Sequence, residues 1–215
     1  MIVDERYTTY LNSLYPELSP VLKDIQQEAL DSFVPIIRPE TINLLQLLIK
    51  MNRPKRILEV GAAVGFSANL MAETAGNDTT ITTIENYEPR IPIARANFAR
   101  TGRTEQITLL EGDAMDILPT LDGPFDFIFM DAAKGQYINF WPEIKRLIVD
   151  GGVIVTDNVL QDGDIIQSRF AITRRNRTIH KRMRDYLYEL THDEDFSTTI
   201  LPLGDGVSIS VKGNK

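Results

Sequence analysis

Two acidic side chains and one amide stand directly after apolar runs, in positions from which they could bind a metal ion. Asp131 follows residues 125–130, and Asp157 and Asn158 follow residues 153–156. If both runs are neighbouring parallel strands, the three side chains lie at the sheet edge where open α/β sheets bind ligands. Two carboxylates and one amide oxygen form a hard ligand set suited to Mg²⁺. The alternative is that the acids only cap the helices that follow.

Lys134, three residues after Asp131, is a candidate general base. A nearby dication disfavours the charged form of an amine and favours the neutral form, which can accept a proton. The spacing alone is equally compatible with an ordinary surface lysine. Cysteine is absent from the chain, which excludes thiolate metal sites, disulfides and cysteine nucleophiles.

A small-residue turn follows the first apolar run, residues 57–60, and opens a helix. Gly61 and Gly65 permit a close backbone approach to a nucleotide, although a purely structural turn has the same pattern. Glu85 ends the next run, 24 residues after Gly61, where a carboxylate can accept both ribose hydroxyls. Asp113 follows the third run and could either cap a helix or face an adenine amino group.

The elements that must position these residues alternate along the chain. Short apolar runs separated by amphipathic stretches indicate βαβ units and a parallel sheet covered on both faces. The runs are residues 57–60, 80–84, 107–110, 125–130 and 153–156. Residues 197–203 and 207–211 predict two further strands in a hairpin at the sheet edge. Helical spacing in residues 11–50 predicts helices interrupted near Pro35 and Pro39.

Length and composition set limits on the protein class. The chain has 215 residues, of which 43% are hydrophobic, so we expect a single domain spanning residues 1–215. Residues 1–10 carry charges and no apolar run, so we expect neither a secretory signal nor a membrane span, and a cytoplasmic location. The net charge of -7 argues against a surface built throughout for nucleic acid.

Four motifs give the chain a resemblance to a known family. The segments at residues 59–67, 131–137, 156–160 and 203–206 read EVGAAVGFS, DAAKGQY, TDNVL and LGDG. They resemble the class I S-adenosylmethionine-dependent methyltransferases, and in particular the cation-dependent O-methyltransferases related to catechol and caffeoyl-CoA methyltransferases. The resemblance implies a Rossmann-like α/β fold with a seven-stranded, mostly parallel sheet, an antiparallel last strand, helices on both faces and a helical N-terminal extension over residues 1–52. It also implies a homodimer.

The resemblance assigns roles to particular residues. It implies that Asp131, Asp157 and Asn158 bind Mg²⁺ or another hard divalent cation, and that Lys134 and Asp131 are catalytic. It implies an S-adenosylmethionine site whose residues are Ile37, Glu59, Gly61, Ser67, Glu85, Asp113, Ala114 and Asp131.

The acceptor is suggested by a basic segment at residues 169–184. It holds seven of the 23 Lys and Arg residues and no acid, so the rest of the chain carries 16 basic against 30 acidic side chains. This segment belongs to a predicted helical insertion at residues 169–192, with an apolar stripe that includes Ile179 opposite the cations. The arrangement resembles bacterial tRNA 5-hydroxyuridine methyltransferases, which produce 5-methoxyuridine at the wobble position. The predicted contacts to a tRNA anticodon loop are Arg174, Arg175, Arg177 and Lys181.

Other functions remain open on the sequence. A solvated helix face explains the same cations without RNA, and the acceptor is then a small catechol-like or acyl-CoA phenolic compound. A non-catalytic adenosine-binding or RNA-binding module has no need of the combination Asp131, Asp157, Asn158 and Lys134.

Overall fold

The computed structural model describes residues 3–213, so the first two and last two residues of the expected domain lie outside it. Three helices precede the sheet: α1 (Glu5–Ser13), α2 (Pro20–Asp31) and α3 (Pro39–Asn52). Proline occupies the first helical position of α2 and α3, where its missing N–H has no cost. The predicted helical N-terminal extension is therefore confirmed, and the expected interruption near Pro35 and Pro39 lies between α2 and α3, whereas the break before Pro20 was not predicted.

The remaining elements alternate as expected. They are β1 (Arg56–Val60), α4 (Phe66–Ala75), β2 (Thr80–Glu85), α5 (Ile91–Arg100), β3 (Ile107–Glu111), α6 (Ala114–Ile117), β4 (Phe125–Met130), α7 (Tyr137–Leu147), β5 (Ile148–Thr156), α8 (Arg177–His192), β6 (Phe196–Leu201) and β7 (Val207–Lys212). Three short 3₁₀ turns lie at Leu118–Thr120, Lys134–Gln136 and Gln161–Ile166. β5 starts five residues earlier than its apolar run, because α7 leads directly into it.

The seven strands form one sheet in the order β3-β2-β1-β4-β5-β7-β6. Neighbouring pairs are parallel from β3 to β5, whereas β7 runs antiparallel to both β5 and β6. The predicted hairpin of β6 and β7 is present at the edge. This topology confirms the Rossmann-like methyltransferase fold with an antiparallel last strand.

Helices cover both faces of the sheet, which explains the continuous apolar runs. Alternate residues of β4 illustrate this: Phe127 and Phe129 pack with α2, α3 and α4, whereas Ile128 and Met130 pack with α7 and α8. All four side chains are fully buried, and each such burial stabilises the fold by about 1.5–3 kcal/mol. Every helix of the described chain is too short or too polar to cross a bilayer.

Candidate active site

The ends of four neighbouring strands bring the candidate residues into one row. Val60 of β1 is in register with Ile84 of β2 and Met130 of β4, and Met130 is in register with Thr156 of β5. Because these strands are parallel, the residues that follow also lie side by side at the carboxyl edge. The row consists of Glu85, Gly61, Asp131 and Asp157.

A cavity of about 940 Å³ opens at this edge, which is large enough for a cofactor together with part of an acceptor. Most of the candidate residues line it: Ile37, Gly61, Glu85, Asp113, Ala114, Asp131, Lys134, Asp157 and Asn158. Glu59 and Ser67 are buried and stand outside the lining. A second cavity, of about 580 Å³, lies near the opposite edge of the sheet and contains none of the candidate residues.

The turn after β1 is glycine-dependent because it passes close to the chain after β4. Gly61 has φ +105°, and a Cβ atom there would collide with the backbone carbonyl of Asp131. Gly65, with φ +78°, begins α4 and leaves no room for a Cβ beside the ring of Phe98. Both positions need glycine for conformation and for space. The turn therefore exposes backbone at the cavity wall, as a nucleotide site requires.

Glu85 holds this turn as well as lining the cavity. Its Oε2 accepts a hydrogen bond of 2.7 Å from the N–H of Ala63. Its Oε1 accepts from the N–H groups of Asn86 and Tyr87, at 3.1 and 2.8 Å. A carboxylate has about four acceptor positions, of which these three donors take three, so about one position remains for a ligand hydroxyl. Asp113 caps α6 by accepting from the N–H of Met115 at 2.8 Å, so the predicted helix cap is present, and its place on the cavity wall also leaves it available to a ligand.

Glu59 is a fully buried acid beside the row. Burial raises its pKa to about 7, while hydrogen bonds from Ser67 and Thr83 lower it and the charge of Glu85 raises it. Its Oε1 has no hydrogen-bond partner among the described residues. Ser67 and Glu59 thus form a polar pair behind the cavity wall, and direct contact of either with the cofactor stays a prediction.

The carboxylates of Asp131 and Asp157 concentrate negative charge in one part of the cavity. Burial, together with the charges of Asp131 and Asp205, raises the pKa of Asp157 to about 7. Burial also raises the pKa of Asp131 to about 6, with a contribution from Glu59, while Lys134 opposes the shift. Uncompensated negative charge at this corner favours a bound cation.

The donor set fits a hard divalent cation. The backbone N–H of Asn158 donates to Asp157 Oδ1 at 2.7 Å, and the Asn158 side-chain Nδ2 donates to Asp205 Oδ2 at 3.4 Å. These contacts leave the other Asp157 oxygen and the Asn158 amide oxygen as acceptors. Among the described residues no group of three or more His, Cys, Asp or Glu side chains could hold a metal ion. The candidate set instead contains two carboxylates and one amide. Such oxygen ligands suit Mg²⁺ when water or substrate completes the shell.

Two further residues at this corner carry no assignment from the sequence. The Tyr137 hydroxyl lies 3.2 Å from the carbonyl oxygen of Ala132 and 3.4 Å from that of Asp157. Asp205 lines the cavity and forms an ion pair with Arg38. Both belong to the quoted motifs DAAKGQY and LGDG, so their motif membership was the available signal.

The basic segment differs in part from the sequence-based expectation. α8 begins at Arg177, so Arg174 and Arg175 lie in the preceding turn and not in the helix that was expected over residues 169–192. Ile179 was expected in the apolar stripe but is 38% exposed, and His180 is buried instead. The buried face of α8 is set by its contacts with α7, where Tyr186 packs against Tyr137 and Trp141.

The cations of this segment have different surroundings. Arg174 and Arg175 are exposed. Arg177 Nε donates to the carbonyl of Ile172 at 3.2 Å, and Lys181 pairs with Asp185 at 2.5 Å. Arg174 and Arg175 are therefore the better placed of the four predicted RNA contacts.

A Rossmann-like sheet with an antiparallel last strand and a cavity at its carboxyl edge defines a class, the S-adenosylmethionine-dependent methyltransferase fold. Comparison with known proteins narrows that class. Residues 12–213 match the family model described as O-methyltransferase, and the chain belongs to this family.

Individual relatives and solved structures carry O-methyltransferase names. A catechol O-methyltransferase from Niastella koreensis is 38% identical over 135 residues, which are 60% of this chain and 61% of that protein. A Staphylococcus aureus structure, named provisionally as a caffeoyl-CoA O-methyltransferase, has a TM-score of 0.87 and 32% identity, with 97% of this chain and 98% of that chain covered. An O-methyltransferase from Bacillus cereus in complex with SAH has a TM-score of 0.84 and 25% identity, with 95% and 96% covered.

Proposed function

We propose that this chain transfers a methyl group from S-adenosylmethionine to a hydroxyl oxygen of an acceptor bound beside a divalent cation. The observation that carries the proposal is the row of Glu85, Gly61, Asp131 and Asp157 on one cavity wall. The row combines an acid suited to a ribose with a carboxylate pair suited to Mg²⁺. The SAH complex of the Bacillus cereus relative supports the choice of cofactor.

The chain's residues divide the work between the two ends of the cavity. At one end Glu85 accepts from a ribose hydroxyl and Asp113 accepts from the adenine amino group. At the other end Asp131, Asp157 and Asn158 hold the cation. When bound, a divalent cation supplies Lewis acidity toward the acceptor hydroxyl. Lys134 lines the same cavity, and we assign it as the base that accepts the proton that the hydroxyl loses.

Positioning accounts for the rest of the proposed reaction. The acceptor oxygen forms a bond to the methyl carbon as the bond from that carbon to sulfur breaks, which leaves SAH and the O-methyl product. A sulfonium methyl group needs no further activation, so the chain contributes by aligning oxygen, carbon and sulfur. The buried strand ends supply a rigid frame for that alignment.

For the acceptor we propose 5-hydroxyuridine at the wobble position of tRNA. Its 5-hydroxyl and 4-carbonyl oxygens are adjacent, so they present the same pair of ligands as a catechol. The exposed Arg174 and Arg175 offer contacts to phosphates. They precede α8, which contacts the Lys134 turn through a 3.1 Å hydrogen bond from Arg182 to the carbonyl of Gly135. An unpaired anticodon loop presents its bases without prior melting of a helix.

A small phenolic acceptor is the second candidate. The relatives named as catechol and caffeoyl-CoA O-methyltransferases favour it. Two adjacent phenolic oxygens could bind the same cation that the carboxylate pair is proposed to hold. On this alternative the exposed arginines contact a phosphate or carboxylate of the substrate, or only solvent.

One experiment separates the two acceptors. The purified protein is incubated with methyl-labelled S-adenosylmethionine and Mg²⁺, and either unmethoxylated bulk tRNA or a panel of catechols and hydroxycinnamoyl-CoA esters is added. Label in tRNA alone supports the tRNA proposal, and label in the phenols alone supports the second candidate. Label in neither, with cofactor binding intact, contradicts both acceptors.

A further inference from the structure

Two backbone hydrogen bonds join the turn between β6 and β7 to the residues that follow the candidate metal ligands. The N–H of Val159 donates to the carbonyl of Gly206 and the N–H of Leu160 to the carbonyl of Asp205, both at 2.9 Å. Gly206 has φ +90°, and a Cβ atom there would collide with the side chain of Leu160. The position of Asp205 relative to residue 158 is therefore fixed by backbone contacts.

The Asp205 carboxylate contacts both Arg38 and Asn158. One oxygen forms an ion pair with Arg38, which also lines the cavity. The other accepts the 3.4 Å hydrogen bond from the side-chain Nδ2 of Asn158. Asp205 is only 8% exposed, so these contacts lie in surroundings where a polar interaction is strong.

Asn158 needs such support because both its backbone and its side chain allow alternatives. Its φ is +61°, a conformation that asparagine tolerates better than other non-glycine residues but that is still less favourable. An amide side chain can also rotate by half a turn, which exchanges the oxygen and nitrogen positions. A carboxylate at Asp205 accepts only from the nitrogen, so it selects one of the two orientations.

We propose that Asp205 is a positioning residue, which orients the Asn158 amide so that its oxygen serves the candidate cation site. This inference rests on the proposed function, since it assumes that Asp131, Asp157 and Asn158 bind a divalent cation. The Asp205 carboxylate is paired with Arg38 and contacts the Asn158 amide, so we assign it a role through Asn158 and not as a ligand. Outer residues of this kind orient ligands in many metal sites.

Binding of Mn²⁺ alone tests the inference without reference to turnover. Free Mn²⁺ is measured by electron paramagnetic resonance for the wild type and for Asp205→Ala, Asp205→Asn, Asp157→Ala and Asp126→Ala. We expect Asp205→Ala to weaken Mn²⁺ binding by about 10- to 100-fold. Asp205→Asn keeps an oxygen that can accept from Asn158 but adds an amide nitrogen that can donate to it, so we expect a smaller loss than in Asp205→Ala, of about threefold.

Asp126→Ala is the matched structural control. Its Oδ2 accepts 2.7 Å hydrogen bonds from the N–H groups of Lys55 and Arg56, at the opposite edge of the sheet. The variant therefore loses two structural hydrogen bonds without touching the candidate site. We expect a lower melting temperature and an unchanged Mn²⁺ affinity.

The outcomes separate this inference from the proposed function. Wild-type affinity in Asp205→Ala, together with loss of binding in Asp157→Ala, overturns the positioning role and leaves the metal site standing. An equal loss in Asp205→Asn and Asp205→Ala also overturns it, because the charge and not the acceptor geometry is then what matters. If the wild type binds no Mn²⁺, or Asp157→Ala binds it as well as the wild type, both proposals fail.

Discussion

The N–H of Ala63 donates a 2.7 Å hydrogen bond to Glu85 Oε2, so the acid at the end of β2 supports the turn at the end of β1. Ala63 has φ +47°, a strained value for alanine. Glu85 thus has a structural contact on the same carboxylate that is proposed to bind the ribose. Any test of the cofactor role must separate these two contributions.

Replacing Glu85 with Ala should weaken cofactor binding. The lost acceptor leaves a buried ribose hydroxyl without a partner, at a cost of about 1.5–3 kcal/mol, or roughly a 10- to 150-fold rise in Kd, whereas the loss of the Ala63 contact affects the free and the bound protein alike. Calorimetry with SAH measures this. Glu111→Ala is the control, because Glu111 is the register partner of Glu85 on β3. An unchanged Kd in Glu85→Ala would place the ribose elsewhere.

Removal of the cation should abolish methyl transfer while sparing the fold. Asp131, Asp157 and Asn158 are the proposed ligands, so excess EDTA and the variant Asp157→Ala should each reduce kcat by at least 10²-fold, about 2.7 kcal/mol. Asp78→Ala, which removes an acid at the opposite edge of the sheet, should retain full activity. Turnover that persists in EDTA would refute the metal-dependent mechanism.

Stability of the metal-free protein should depend on pH through the raised carboxyl pKa values. The pKa values of Asp157 and Asp131 rise from 3.8 to about 7 and about 6. The folded chain therefore binds protons more tightly than the unfolded chain. Stability from these groups is complete below about pH 4 and is lost as pH rises through about 7.

Mg²⁺ should reverse this loss where the carboxylates are ionised. At pH 8 and about 100 times its Kd, Mg²⁺ should stabilise the fold by about 2.7 kcal/mol, which is roughly 5–10 °C in Tm for a chain of this length. At pH 5 protons compete for the same oxygens, so the rise should be small. Thermal melts of the wild type and Asp157→Asn provide the measurement. The prediction fails if Mg²⁺ shifts the Tm of both proteins equally at both pH values.

Tyr137→Phe should loosen the corner that holds the ligands. The hydroxyl lies within hydrogen-bond distance of the carbonyls of Ala132 and Asp157, which follow β4 and β5. Its removal leaves a buried carbonyl without a donor, so we expect a loss of about 1–3 kcal/mol in the free energy of unfolding. Urea denaturation checks this. Tyr188→Phe, on the exposed side of α8, should change stability by less than about 0.5 kcal/mol.

The sequence predicted the sheet well because its signals are local. Apolar runs such as residues 125–130 can be buried on both faces only in a parallel sheet, and the glycines at 61 and 65 mark a turn with close backbone contacts. Register then brings Glu85, Asp131 and Asp157 into one row, which follows from strand order and not from any single residue.

The remaining features depend on tertiary contacts that have no local pattern. Asp205 is 167 positions from Arg38, so their ion pair cannot be derived from spacing. The exposure of Ile179 and the burial of His180 reflect how α8 rotates against α7, which a helical wheel does not specify. Similarly, the start of α8 at Arg177 separates Arg174 and Arg175 from the helix, because residues in a turn give no periodic signal.

The last prediction concerns the acceptor. If Arg174 and Arg175 contact tRNA phosphates, replacing both with Ala should raise the KM for tRNA and flatten its salt dependence by roughly 0.7–0.9 in log-log slope per contact. Adding Arg177→Ala should have a smaller further effect, because its Nε already bonds to the carbonyl of Ile172. Replacing Lys50 and Lys55 with Ala removes the same charge at the opposite sheet edge and so controls for net charge. The Kd for SAH should stay constant in every variant. An unaltered KM and salt slope in the arginine variants would make the basic segment solvated surface and favour the phenolic acceptor.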